Sequence, residues 1–170
     1  NTFTLNYEVS GVAQTEIDTA SSPTEFTVDR LIDLTVASTG DTTVPPGGQN
    51  RDLVFSLTNE GNDTQAYSLL YVNESGDDFT ATSPTLYYYV DDGDETFEPG
   101  GDDGSPQAYS TKTPDLAADA MLFVIVRANI PADRSDADED SISLVADTLE
   151  PSSAGSSATP VVADSDGNSL

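Results

Sequence analysis

The feature that most constrains this chain is an apolar period of two that returns again and again. In "NTFTLNYEV", Phe3, Leu5, Tyr7 and Val9 fall on one side and Thr2, Thr4, Asn6 and Glu8 on the other, the alternation of a half-buried β-strand. "EFTVDRLIDLTVAS" over 25–38 sets Ile32, Leu34 and Val36 against Asp33 and Thr35, and "DLVFSLTN" over 52–59 turns Leu53, Phe55 and Leu57 inward. "TQAYSLLYVN", "LYYYV" over 86–90 and "SISLVADTL", closing at 149, continue the series. "MLFVIVRANI" over 121–130 is apolar on both faces, as a strand covered on both sides must be. Turn formers separate these runs: "SG" at 10–11 has the form of a two-residue hairpin connection, and "VPPGGQNR" and "EGND" break the chain further on. The single helix signal, "PDLAADAM" over 114–121, is short.

Evenly spaced strands of this kind predict an all-β fold, an antiparallel immunoglobulin-like β-sandwich with an extended N-terminal strand or hairpin. The chain divides into 1–24, a strand or hairpin that either pairs within its own subunit or is donated to a neighbour; 25–149, the sandwich; and 150–170, a low-complexity tail. In the tail "EPSSAGSSATP" reads as a linker and "VVADSDGN" as one more short strand with an acidic turn. With 170 residues the chain can bury a core without staples.

Two residue types that commonly carry chemistry, Cys and His, are missing. Without Cys there is no disulfide, thiolate or cysteine-held metal, and without His the usual general base and the commonest ligand for zinc and copper are lost. Any catalyst here would depend on carboxylates, hydroxyls and the single Lys112. No nucleophile and base stand in a recognisable relation, so the expectation is that the protein is not an enzyme. The charge is one-sided, 31 acids against 5 bases and a net −26. Such a surface repels nucleic acid and anionic lipid, which are held by Lys and Arg. Cations are its natural partners, and high salt or bound divalent metal its natural setting, both of which suit an extracellular or cell-surface location in a saline habitat. The apolar run "MLFVIV" over 121–126 is six residues, far short of a membrane span. No signal peptide is legible, and a chain that opens on Asn1 is expected to have lost one.

The stretch "GVAQ...FTVDRLIDLTV", then "VPPGGQNRDLVFSLTNEGNDTQAYSL", then "YYYVDDGDETFEPG", resembles the conserved-repeat, Ig-like domains of secreted prokaryotic surface proteins, the DUF11-like class. The likeness runs from about Gly11 to Leu149, and its most specific piece is the Pro-Gly turn followed by a strand ending in "TNEGN". The resemblance implies a cell-surface, adhesive or matrix component, and it carries no catalytic motif.

Five sets of residues are candidates for function. In "VDDGDETFEPGGDD" the acids Asp91, Asp92, Asp94, Glu98, Asp102 and Asp103 crowd a Gly-rich loop, a source of the hard oxygens that calcium takes; the alternative is a solvated acidic loop. Asp164, Asp166 and Asn168 have the oxygen spacing that opens many calcium loops, without a closing acid. Asn62 in "NDT" and Asn73 in "NES" are glycosylation sequons on expected turns. Tyr87, Tyr88 and Tyr89 form either a stacking surface for sugar rings or ordinary strand packing. Finally, Phe3, Leu5, Tyr7 and Val9 are the expected subunit interface. The expectation drawn from all of this is a secreted structural protein that forms a homopolymer, an extracellular pilus-like filament or biofilm matrix built by head-to-tail strand donation, with polysaccharide or other matrix components as further partners. The alternative is a calcium-stabilised adhesive or carbohydrate-binding surface module.

Overall fold

A computed structural model describes residues 4–5, 7–14, 17–18, 28–149 and 151. Among these residues every regular element is a strand: β1 (Thr4–Leu5), β2 (Glu8–Val9), β3 (Val12–Ala13), β4 (Ile17–Asp18), β5 (Leu34–Ser38), β6 (Arg51–Asn59), β7 (Ala66–Asn73), β8 (Thr82–Val90), β9 (Gln107–Ala108), β10 (Met121–Asn129) and β11 (Ile142–Leu149). The pairings are antiparallel throughout. One sheet has five strands in the order β5-β6-β10-β8-β9, and a second has two, β11-β7.

The core lies between these two sheets and follows from the alternation. From the large sheet Phe55 and Leu57 of β6 and Leu122, Val124 and Val126 of β10 face Tyr67 and Leu69 of β7 and Leu144 of β11. β10 sits at the centre of its sheet, and its other face is buried as well: Phe123 and Ile125 pack with Tyr89, Phe97 and Val54. Both-sided burial is the reason this strand is apolar at every position from 121 to 126.

Two turns explain why the most distinctive sequence motif is needed. In "VPPGG" the Gly48 N–H donates to Pro45 O at 3.0 Å with Gly47 at φ +72°, a type II turn whose third position requires a left-handed residue. Gly47 N then donates to Pro131 O and Ile130 N to Gly48 O, fixing the turn to the end of β10. In "TNEGN" Asn59 is fully buried, and its Nδ2 donates to Asp63 O, Leu116 O and Ala117 O while Oδ1 accepts from Gly61 N. A Cβ on Gly61 would stand 2.5 Å from Leu31 O, so only glycine lets the chain pass there.

The all-β reading holds among the described residues, where the short helix signal yields no helix, and the strands differ from the sequence reading in three places. Residues 114–121 form no helix: Leu116 bridges Gln65 and turns into the core, while Asn59 takes the Leu116 and Ala117 carbonyls that helical hydrogen bonds would have used. Of the run over 25–38, residues 25–27 lie outside the described residues, and among 28–38 the strand covers Leu34–Ser38, with 28–33 held instead by contacts such as Asn62 N to Leu31 O and Asn62 Nδ2 to Asp29 O. The two-residue β9 was not anticipated, and β8 begins at Thr82 rather than Leu86. The hairpin at 10–11 is as expected. Val9 pairs with Val12, and Ser10 and Gly11 are at φ +53° and +78°, the paired left-handed conformation of a type I′ turn. The tail beyond 151, with its expected strand, lies outside the described residues.

Candidate functional site

Loop 91–106 starts directly after β8 and is held down by Phe97, whose ring lies 5.3 Å from Tyr89 edge-on and 5.1 Å from Phe123. This anchoring folds the loop back on its own beginning. Asp91, Asp92 and Asp103 each present an oxygen, all within 4.8 Å of one another. Asp103 is 8% exposed, and its Oδ2 accepts from Glu98 N at 2.7 Å. Asp91 Oδ2 accepts from Gly93 N, whereas its Oδ1 is buried without a hydrogen-bond partner. Three of the six acids expected at a metal thus converge. Asp94, Glu98 and Asp102 remain exposed outside the group, and Asp94 uses Oδ1 to accept from Thr96 N. Asp164, Asp166 and Asn168 lie outside the described residues.

The tyrosine run does not make one surface. Tyr88 faces the inter-sheet core, Tyr89 is buried beneath Phe97, and Tyr87 lies under Arg127, whose guanidinium is 5.0 Å from the ring centroid. Arg127 is itself gripped by Asp52 at 2.6 and 2.7 Å, and that bond holds its pKa above the ordinary arginine value. The two sequons differ in the same practical way. Asn62 is committed to a clamp, accepting from Leu31 N at 2.7 Å and donating to Asp29 O at 2.8 Å, whereas Asn73 at the end of β7 makes only a neighbouring contact to Glu74 O.

The expected interface residues are partly in view. Phe3 lies outside the described residues, Leu5 pairs with Ile17 in the register of β1 and β4, and the Gln14 N–H donates to Tyr7 O at 3.0 Å. The segment is therefore a hairpin closed on its own chain. Its apolar side chains are uncovered there: Tyr7 is 44% exposed, Val9 55% and Val12 63%.

The sandwich has a matching lack. On β7 the N–H groups of Tyr67 and Leu69 donate away from β11, to Thr113 Oγ1 and Tyr109 Oη. Antiparallel pairs alternate between bonded and non-bonded, so their opposite numbers Thr148 and Ala146 also point their backbone groups away from the ladder. The bond from Glu74 N to Ser141 O, one step beyond Ile142, fits the same alternation. Ile142, Leu144, Ala146 and Thr148 thus present N–H and C=O groups at a free edge, and among the described residues nothing pairs with them. The outer face of this small sheet is apolar too, with Val145 beside Leu70 and Val72 exposed nearby. This edge is not legible in the sequence, because strand order cannot be read from alternation. No helix of the described residues is long and apolar enough to cross a membrane. No family model, curated protein or solved structure matches this chain.

Proposed function

We propose that this protein is a secreted structural subunit of an extracellular filament or matrix, assembled head-to-tail by donation of the segment 1–9 to a neighbouring copy. One observation carries the reading: among the described residues a hairpin with uncovered apolar side chains and a sheet with an unpaired edge occur in the same chain. An isolated hairpin is marginal in water and an open edge is a template for another strand, so each supplies what the other lacks. A head-to-tail contact does not close, and repetition generates a fibre. Electron microscopy of the purified protein tests this directly. Long regular polymers that vanish when residues 1–9 are deleted are the expected result, and polymers that form unchanged without those residues would overturn it.

A second reading, a calcium-stabilised surface module, draws on the convergence of Asp91, Asp92 and Asp103. Calcium takes six to eight oxygens, which three carboxylates and nearby carbonyls and water can supply. A metal bound only by the folded chain at a hundred times its Kd adds about 2.7 kcal/mol of stability. The melting midpoint is then expected to rise with calcium and return with chelator, and to lose the response in Asp103→Asn. Identical midpoints with calcium and with chelator would remove the metal from the account.

A further inference from the structure

We infer that the acceptor site is the free edge of β11, and that its occupant is the hairpin of a second copy, docked with the segment 2–9 alongside β11. The inference rests on the strand-donation reading above and specifies its geometry.

The edges of the two sheets are not equivalent. On the β8 side of the large sheet β9 pairs with Tyr87 and Tyr88 and Tyr109 N donates to Leu86 O, and β7 is occupied by Tyr109, Thr113 and the bridge at Leu116. Among the described residues, β5 and β11 are the remaining edges longer than two residues with no strand beside them. β5 offers five residues and β11 eight, and the two lie across from one another on the same side of the sandwich. On that side the core is incompletely covered: Leu34 and Val36 from β5 and Ile142 and Ala146 from β11 are only partly buried. A strand beside β11 would set alternate side chains over this gap while its backbone met the unpaired groups of Ile142, Leu144, Ala146 and Thr148.

The occupant is identified by length, pattern and charge. Residues 2–9 match the eight residues of β11 and place an apolar side chain at every second position. In a chain with 31 acids, residues 1–14 carry one charged side chain, Glu8, so this segment can approach another copy without adding to the repulsion between them. The hairpin need not open. Docked as a unit it would extend the two-stranded sheet to four strands, facing five, and would cover Tyr7 and Val9, which its own chain leaves exposed. A second copy is the source, since among the described residues of one chain the hairpin and the β11 edge both stand unpartnered.

The test uses two full-length variants and a mixture. Ala146→Pro removes an N–H that points away from β7, so the edge is blocked while the β7 ladder is kept. Tyr7→Asp with Val9→Asp disables the donor. Neither variant is expected to polymerise alone, and mixing them should give a one-to-one complex of twice the chain mass, since one retains an edge and the other a donor. Polymers of the Tyr7/Val9 variant would overturn strand donation itself. Polymers of Ala146→Pro, with the donor variant inactive, would leave donation standing and overturn the β11 edge. Absence of a mixed complex would overturn the pairing of this donor with this edge, provided hydrogen exchange in unmodified polymers agrees. There the amides of Leu144 and Ala146, fast in the monomer, should become protected; protection at Val36 and Ser38 instead would assign the site to β5.

Discussion

Replacing Asn59 tests whether the "TNEGN" motif is the structural fastening it is taken to be here. The side chain is 0% exposed, with Nδ2 at 2.9 Å from Asp63 O, 3.1 Å from Leu116 O and 2.9 Å from Ala117 O, and Oδ1 at 3.1 Å from Gly61 N. These contacts are not equally replaceable. Leu116 O also accepts from Gln65 N, and Ala117 O from Ala120 N. Asp63 O and Gly61 N have no other hydrogen-bond partner among the described residues. Asn59→Ala therefore orphans two groups, at about 1–2 kcal/mol each for partly buried positions, for a total of about 2–4 kcal/mol. For a chain of this size that corresponds to a fall of roughly 6–12 °C in the melting midpoint. Asn59→Asp should be worse, since it keeps the acceptor for Gly61 N but turns a charged oxygen toward three carbonyls. Urea and thermal unfolding of both variants provide the measurement. If Asn59→Ala lost less than ~0.5 kcal/mol, or if Asn59→Asp matched the parent, the motif would not be a fastening and the reasoning would fail.

Two further substitutions have expected signs. The Tyr67 hydroxyl is buried without a partner, and burial, with the charge of Asp33 adding to it, pushes its pKa up to about 12; Tyr67→Phe should therefore be neutral or stabilising by up to ~1 kcal/mol, and a clear loss in urea melts would contradict the orphan assignment. Burial, and then the neighbouring Asp77 carboxyl, raise the pKa of Asp140 above the ordinary 3.8. The stability it contributes is thus fully present below that value and lost as pH rises through the raised one. Asp140→Asn, which mimics the protonated side chain, should match the parent in acid and exceed it at neutral pH; a gain that is the same at every pH would show that titration is not the cause.

What the sequence disclosed, and what it withheld, follows from the range of the forces involved. Alternation is local, so β6, β7, β10 and β11 were legible, as was the double burial of β10, because an apolar run of six has few other uses. The 114–121 segment carries a short helix signal yet forms none, because its fate is decided by a distant residue: Asn59 claims its carbonyls from 57 and 58 positions away. The acidic loop was half legible for the same reason. Composition pointed to the six acids, but their convergence depends on where Phe97 anchors, and Phe97 binds a strand more than twenty residues later. The free edge of β11 was out of reach altogether, since it is a property of strand order. The two sequons were indistinguishable as triplets and became distinct only when Asn62 was seen to hold Leu31 and Asp29.

The charge of the chain bears on all of these sites, and it leads to the last prediction. Four of the five basic side chains are already within reach of an aspartate: Arg30 of Asp63 at 3.9 Å, Lys112 of Asp115 at 3.3 Å, Arg127 of Asp52 at 2.6 Å and Arg134 of Asp133 at 2.7 Å. Local pairing is thus nearly used up while a net −26 remains, and only mobile ions are left to reduce the repulsion. Salt acts on both terms with opposite signs. It weakens the four pairs, which in contact with solvent are individually weak, and it relaxes a repulsion that involves every uncompensated acid on the molecule. The second term is the larger, so the melting midpoint should rise with sodium chloride. Most of the rise should come as the screening length shrinks from about 30 Å at 0.01 M to about 10 Å at 0.1 M, with a smaller gain as it approaches about 3 Å at 1 M. Assembly should follow the same curve, because each added subunit brings its own −26 beside the last. Melting curves and light scattering across that range measure both. A midpoint that fell steadily with salt would mean that the four pairs outweigh the repulsion, and a scattering signal greatest at 0.01 M would mean that the subunits are drawn together by charge rather than held together against it.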